Sequence, residues 1–423
     1  MGATQIPSGS ALAKKVYGIG LFAGVQQAPG FMNMLSGPMP QQGDAESKLK
    51  GQTGPGMPVV KSMDLTKTAG EAVSVDLFNI LQGKPVMADK RLAGRLMSLS
   101  FSSMDIKINQ YRGGAEPGGR MTQQRTVHNL RGIAMAGLTQ WATRLEDQLT
   151  IVHMAGARGS QNTADWVVPL STDTDFPEIM VNAVTAPTYN RHFYAGDASS
   201  LADLDSSDIL DLPTIDRIST TIGESEVPMQ PVQVPGDQKA WGQPLWVLFV
   251  TQRQWLYLKT RTGEKAWRTF LAQAYARKKG NEKHPLYNDD EMGMWSNILV
   301  KVLPRWAIRF AAGDSVTVAT SAAIYAETTA TAAVPTDRAI LVGAQALGKV
   351  YGKHGASKYH YSWHEEVVDH GNAVEISAAM MGGCAKIRFA PNLSGTATTT
   401  DHGVAVLDSY APAPTSSAGK ALL

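Results

Sequence analysis

The densest group of chemically capable side chains lies between His354 and His370, where His354, His360, His364, Glu365, Glu366, Asp369 and His370 fall within seventeen residues. Imidazole and carboxylate are the ligands of zinc centres and the bases of metal-assisted hydrolysis. The spacing argues against that use. His360 and His364 stand four apart, but the glutamate follows the pair instead of lying inside it, unlike the His-Glu-x-x-His order of zinc proteases. Tyr359, Tyr361 and Trp363 alternate with His360, Ser362 and His364, which predicts a strand with the histidines on one face and the aromatics on the other. The cluster is therefore read as a structural or interface strand, with a metal-dependent hydrolase kept as the minor alternative.

Other catalytic signatures fail in the same way. Gly18-Ile-Gly20 lacks the preceding strand and the third glycine of a dinucleotide fingerprint, and neither a phosphate-binding Gly-x-x-x-x-Gly-Lys-Ser/Thr loop nor a Gly-x-Ser-x-Gly elbow occurs. Asp203, Asp205, Asp208 and Asp211 lack the glycine and distal glutamate of a calcium loop and read as a solvated, helix-capping stretch. The single cysteine, Cys384, excludes an intrachain disulfide framework; set in an apolar stretch after Gly382 and Gly383, it reads as a buried small residue. No catalytic residue, cofactor site or metal site is assigned.

With 39 basic and 37 acidic side chains, a formal charge of +2 and only 18% charged residues, the chain lacks the basic face of a protein that grips phosphates. Lys14 and Lys15 precede a weakly apolar stretch, but Gly18, Gly20 and Gly24 interrupt it and it is too short to span a bilayer, so neither signal peptide nor membrane segment is expected.

The elements that would position any function are unusual in proportion. Residues 1–56 hold eleven glycines, with Pro29, Pro38, Pro40 and Pro55 in the later part, a composition that builds no core of its own. Such an arm is ordered only if pinned to its parent domain or to a neighbouring chain. Val73 to Leu77 and Met104 to Ile108 alternate with the period of half-buried strands, and the polar segment between them predicts an extended two-stranded flap. Gly113, Gly114, Pro117, Gly118 and Gly119 should break regular structure before Thr122, a predicted N-cap.

From there Val127, Leu130, Ala134, Leu138, Trp141, Leu145, Leu149 and Val152 recur at helical spacing, with Arg125, Arg131, Arg144 and Gln148 opposite. A helix from Thr122 to Met154 would be about 50 Å long, which still fits a long core helix in an ordinary enzyme. Further on the pattern predicts a helix from Pro213 to Ile222, a strand from Leu245 to Val250, a helix capped by Thr251, a second helix from Glu264 to Arg277, and strands at Ile298 to Val302 and Ala339 to Val342. The low-complexity Ala319 to Ala333 reads as a surface loop.

The order of arm, extended flap, long helix and α/β lobe resembles the major capsid proteins of tailed double-stranded-DNA bacteriophages, which share the Hong Kong 97 type fold. Local segments carry the resemblance: Met57-Pro-Val-Val-Lys61, Thr68-Ala-Gly70, Gly83-Lys-Pro-Val86, Leu99 to Ile106, Gln124 to Leu130, Arg144-Leu-Glu-Asp-Gln148, His153 to Gly159 and Asp369-His-Gly-Asn372. The resemblance implies an α+β chain with an N-terminal arm (1–56), an extended β-hairpin loop (57–119), a peripheral domain (120–235) with spine helix 122–154, an α/β axial domain (236–384) and C-terminal strands (385–423) returning to the peripheral domain.

It further implies self-assembly into hexamers and pentamers of an icosahedral phage head enclosing double-stranded DNA without sequence-specific binding. Portal and scaffolding proteins are the implied partners, with room for a decoration protein. The implied location is the virion, after assembly in the bacterial host cytoplasm. An encapsulin-like compartment around protein cargo is the alternative within the same fold. Glycines beside the flap, Gly113 and Gly114 among them, are the expected hinges.

Overall fold

The computed structural model describes residues 30–36, 56–62, 70–78, 85–87, 91, 101–234, 237, 242–279, 281, 284–287, 291–303, 305–321, 325–352, 360–390 and 398–423. Most of the arm and of the segment between the flap strands, together with His354 and Tyr359, lies outside the described residues. In chain order the first elements are α1 (Phe31–Leu35), β1 (Val59–Ser62), β2 (Ala72–Phe78), β3 (Phe101–Lys107), β4 (Asn109–Ala115), α2 (Arg120–Arg125) and α3 (Leu130–Ala155). Then follow α4 (Phe176–Met180), β5 (His192–Tyr194), α5 (Leu212–Glu224), β6 (Trp246–Val250), α6 (Gln252–Arg261), α7 (Glu264–Lys278), β7 (Met292–Trp295), β8 (Ile298–Val302) and β9 (Ile308–Phe310). The chain closes with β10 (Ser315–Ala319), β11 (Glu327–Thr331), β12 (Thr336–Val342), β13 (Leu347–Tyr351), β14 (Tyr361–Val368), β15 (Ala373–Lys386), β16 (Arg388–Phe389), β17 (Thr400–Asp401), β18 (Val404–Tyr410) and α8 (Ser417–Leu422).

Two larger sheets organise the molecule. One runs β1-β13-β15-β14, with β4 also paired to β15, and α3 packs against it. The other runs β5-β18-β12-β6-β8-β7, with β9 added to β12. Strand β6 is buried at every position, as its unbroken apolar run requires, and helices α5, α6 and α7 place Ile215, Ile218, Leu258 and Phe270 in the core beside it. Thr251 caps α6 through a capping box with Gln254, as its position ahead of the helical pattern predicts.

Strands β2 and β3 pair antiparallel from Ala72↔Lys107 to Phe78↔Phe101 and form a separate two-stranded sheet, the predicted flap. The flap is shorter than the 57–119 segment assigned to it. Its flanks, β1 and β4, are strands of the sheet under α3, pairing with β13 and β15. Gly113 and Gly114 therefore do not break structure: they sit in β4 opposite Ala378 and Ser377. A Cβ on Gly113 would lie 2.8 Å from the Trp141 ring, so glycine here provides a flat strand surface for an indole, not a free hinge.

The long helix begins later than expected. Thr122 lies inside the separate short helix α2, the backbone turns extended at Thr126, and Asn129 is the cap, its side chain accepting the Gly132 N–H. The end is set by Gly156, whose φ of 66° provides the left-handed C-cap. Leu138, Leu145, Leu149 and Val152 are buried as predicted, whereas Val127 is outside the helix and fully exposed. Gln148, expected on the open face, is also buried: its amide donates to Asp165 O at 2.9 Å and accepts from the Val167 and Val168 N–H groups. The chain after the helix folds back over that face, so the last turns are enclosed all round.

Two further assignments change. The Ala/Thr-rich stretch is not a plain loop: β10 and β11 pair from Ser315↔Thr331 to Ala319↔Glu327, because alternation of Thr and Val satisfies a solvated hairpin. The chain also crosses between lobes twice. Strands β13, β14 and β15, expected in the α/β lobe, belong to the sheet under α3, whereas β18, expected to return to the helix, lies between β12 and β5 in the seven-stranded sheet.

Candidate functional site

The arm meets the body at a buried charged cluster. Phe31, Met32 and Leu35 of α1 are buried, and Phe31 packs edge-on against Phe249 with ring centroids 4.9 Å apart. The described part of the arm is thus pinned to its parent domain. Its start faces Asp147 of α3, whose carboxylate accepts the Met32 N–H at 2.9 Å. Burial pushes the Asp147 carboxyl up to about 6, against the pull of the backbone N–H groups of Met32 and Phe31.

Beside it, Glu146 is fully buried: Lys349 Nζ of β13 lies 3.1 Å from Oε2, and the Tyr361 hydroxyl of β14 donates to Oε1 at 2.7 Å. Lys61, at the inner end of the segment leading to the flap, is also buried, which lowers its ammonium to about 8 while Glu146 acts in the opposite direction. The cluster therefore joins the roots of arm and flap to the spine helix. Sequence reading passed over it; the signal was an adjacent Glu-Asp-Gln in the most apolar stretch of the helix.

A second network ties the C-terminus of α3 to the seven-stranded sheet. Arg338 of β12 makes two 2.7 Å bonds to Asp408 of β18 and donates to Ala155 O, the helix terminus, at 3.0 Å. His192 Nε2 lies 2.7 Å from the same carboxylate. Burial alone would raise the Asp408 carboxyl, but Arg338 and His192 hold it well below the usual range. Asp401 likewise meets Lys386 at 2.8 Å and Arg388 at 2.7 Å. Each carboxylate is paired with buried arginine or lysine, an arrangement that fixes elements.

The histidine cluster is pulled apart. His360 is buried between Tyr351 and Tyr361, with ring centroids at 4.1 and 4.5 Å, and burial lowers its imidazolium well below the usual value. His364 and Glu366 point to solvent; Glu365 turns inward to Arg131, at 2.8 Å. The alternation holds for Tyr361 and Trp363 inward against Ser362 and His364 outward, but His360, ahead of the strand, leaves that face. Asp369 and His370 form the β14–β15 turn. Among the described residues no three His, Cys, Asp or Glu side chains are placed to hold a metal ion, and no helix is long and apolar enough to cross a membrane. Cys384 is buried, as predicted.

Residues 5–413 match the sequence model of the family described as phage capsid protein. The chain belongs to that family. The capsid of Ralstonia phage GP4 has a TM-score of 0.68 at 26% identity, over 85% of this chain and 89% of that one. The capsid of cyanophage Pam1 has a TM-score of 0.58 at 18% identity, over 84% and 89%, a likeness of fold. The major capsid protein of Pseudomonas phage KPP25 is 28% identical over 123 residues, covering 29% of this chain and 32% of that protein, so the match spans about a third of that relative's length. The fold is the Hong Kong 97 type expected from the sequence, and this capsid protein is a structural protein of a phage shell.

Proposed function

We propose that the chain is the major capsid protein of a tailed phage, assembling into hexamers and pentamers of an icosahedral head that encloses double-stranded DNA. The observation that carries this reading is the family match across nearly the whole chain, joined to a flap that cannot stand alone. Among the described residues β2 and β3 form strand pairs only with each other; Ile106 is buried against Val350 and Ala385 of the chain's own sheet with Val73, Val75 and Met104 packed beside it, and the other described side chains of the two strands stay partly or fully exposed. A two-stranded ribbon is marginal in water, so a neighbouring subunit is its natural support.

In this reading α3 and the sheet beneath it form the peripheral domain, and the seven-stranded sheet with α5 to α7 forms the axial domain around capsomer centres. The role is mechanical and uses no catalytic group, cofactor or metal. Near-balanced charge suits a wall that encloses DNA without gripping it. Portal and scaffolding proteins are the expected partners, a decoration protein an optional one, and assembly in the host cytoplasm precedes residence in the virion.

The test is electron microscopy with sedimentation of the protein expressed alone and with its phage's scaffolding protein. Closed shells or capsomer rings are expected. A uniform monomer under both conditions would overturn the reading, and shells filled with a cargo enzyme would favour the encapsulin-like alternative.

A further inference from the structure

Between α6 and the chain that joins β8 to β9 lies a cleft of about 640 Å³, inside the range of about 300–1,000 Å³ typical of small-ligand sites. Four cations line it, Arg253, Lys259, Arg305 and Arg309, against one lining carboxylate, the exposed Glu291. Behind the lining, Asp165 takes up Arg305 and the buried Asp337 takes up Arg309, each at 2.6 Å. Arg253 and Lys259 form no salt bridge among the described residues.

That charge stands where the isolated chain gains least from it. Arg253 lies in the first turn of α6, at the positive end of the helix dipole, where an acidic residue is favourable and none is present. Burial lowers its guanidinium and the neighbouring Arg309 charge lowers it further, while Asp337, already bound to Arg309, acts the other way. Its side chain donates at 3.3 Å to the Ala411 carbonyl, a neutral acceptor that leaves the charge uncompensated. The backbone adds donors, because the first N–H groups of a helix have no partner within it.

A separate sign comes from Trp306. It lines the cleft, is only 6% exposed, and its indole N–H has no acceptor among the described residues. Gln161 Oε1, also in the lining, has no donor among them. Buried polar groups left unpaired are costly, so a ligand that brings their partners is favoured. Leu256, Val302 and Leu303 supply an apolar wall beside these groups.

We propose that this cleft binds a phosphate ester of nucleotide size, its phosphates held by Arg253, Lys259 and the start of α6 and its less polar body laid on the wall formed by Leu256, Val302 and Leu303. The guanidinium fork matches phosphate oxygens, and Trp306 and Gln161 offer the body one donor and one acceptor. Glu291 opposes the anion. The site belongs to the lobe of the seven-stranded sheet and does not rest on the shell reading. A free nucleotide and a nucleic-acid strand present the same group, and the experiment separates them.

The experiment is calorimetric titration of the unassembled full-length chain with ATP, with inorganic tripolyphosphate and with a short single-stranded DNA, at about 50 mM salt. Arg253→Gln and Lys259→Gln should each weaken ATP binding about tenfold, the loss of one charge-assisted bond, and Trp306→Phe about threefold, whereas Glu291→Gln should tighten it. Lys259 and Glu291 are exposed, so their variants keep the test open if another fails to fold, which circular dichroism checks. No binding of ATP at millimolar concentration, or binding that Lys259→Gln and Glu291→Gln leave unchanged, would overturn the site. Tripolyphosphate bound as tightly as ATP would overturn the nucleotide assignment. With ATP bound as expected, DNA that competes with it names a nucleic-acid strand as the source of the phosphate, and DNA that does not compete names the free nucleotide.

Discussion

Replacing Lys349 with methionine tests whether the roots of arm and flap are held by a balanced buried charge set. Lys349 Nζ lies 3.1 Å from Glu146 Oε2 with both side chains almost fully enclosed, and Asp147 and Lys61 interact with the same pair. Two carboxylates and two ammonium groups share the cluster. Methionine keeps most of the lysine stem's volume, so the packing change should cost less than about 1.5 kcal/mol. Stranding a carboxylate is the larger effect, about 3–5 kcal/mol for one partner of a buried pair. Adding Glu146→Gln removes the excess charge and keeps an acceptor for the Tyr361 hydroxyl, so the double variant should recover on the order of 2–3 kcal/mol.

The loss should also depend on pH in a definite direction. Asp147 already titrates at about 6 because it is buried, and Lys349 is one of the groups holding it down. Without Lys349 its folded value moves further above the unfolded one. A raised carboxyl binds its proton more tightly when folded, so stability falls as pH rises through the folded value. Urea unfolding of the unassembled chain, followed by tryptophan fluorescence, should show a larger deficit for Lys349→Met at about pH 8 than at about pH 5. A deficit under about 1 kcal/mol, equal at both pH values and unchanged by Glu146→Gln, would refute the coupled cluster.

Gly113→Ala should destabilise the subunit by about 1–3 kcal/mol, because the new methyl would meet the Trp141 ring at 2.8 Å, while Gly114→Ala, 3.6 Å from Ile376 O, should be nearly neutral; equal unfolding midpoints for the two variants would count against the Trp141 contact. Cys384 should resist a thiol reagent in the folded chain and react on unfolding, since burial raises its thiol to about 12. Rapid native labelling, read by mass spectrometry, would contradict its placement.

Local chemistry made some elements readable and hid others. Val73 to Leu77 and Met104 to Ile108 announced the flap because alternation is a property of each strand by itself, and Thr251 announced α6 because a cap and its Gln254 lie three residues apart. The start of α3 was misread because Thr122 and Asn129 are both good caps, and the choice rests on the extended backbone at Thr126. Gly113 and Gly114 read as breakers by propensity, but their use is fixed by a ring 28 residues later in the chain and by a strand more than 250 residues away. The crossing of β13 to β15 into one sheet and β18 into the other is likewise a matter of long-range pairing. The order of arm, flap, long helix and α/β lobe was the reading that mattered most, and the family match over residues 5–413 agrees with it.

The placement of buried charge shows how the elements of the subunit are joined. Where the arm, the flap root and the two sheets meet α3, carboxylates are enclosed with lysine or arginine, Glu146 with Lys349 and Asp408 with Arg338, and between β15, β16 and β17 Asp401 is enclosed with Lys386 and Arg388. Such pairs add little stability over apolar residues of the same volume, yet an element docked in the wrong register would strand a charge at a cost of about 3–5 kcal/mol. They therefore fix geometry within the subunit.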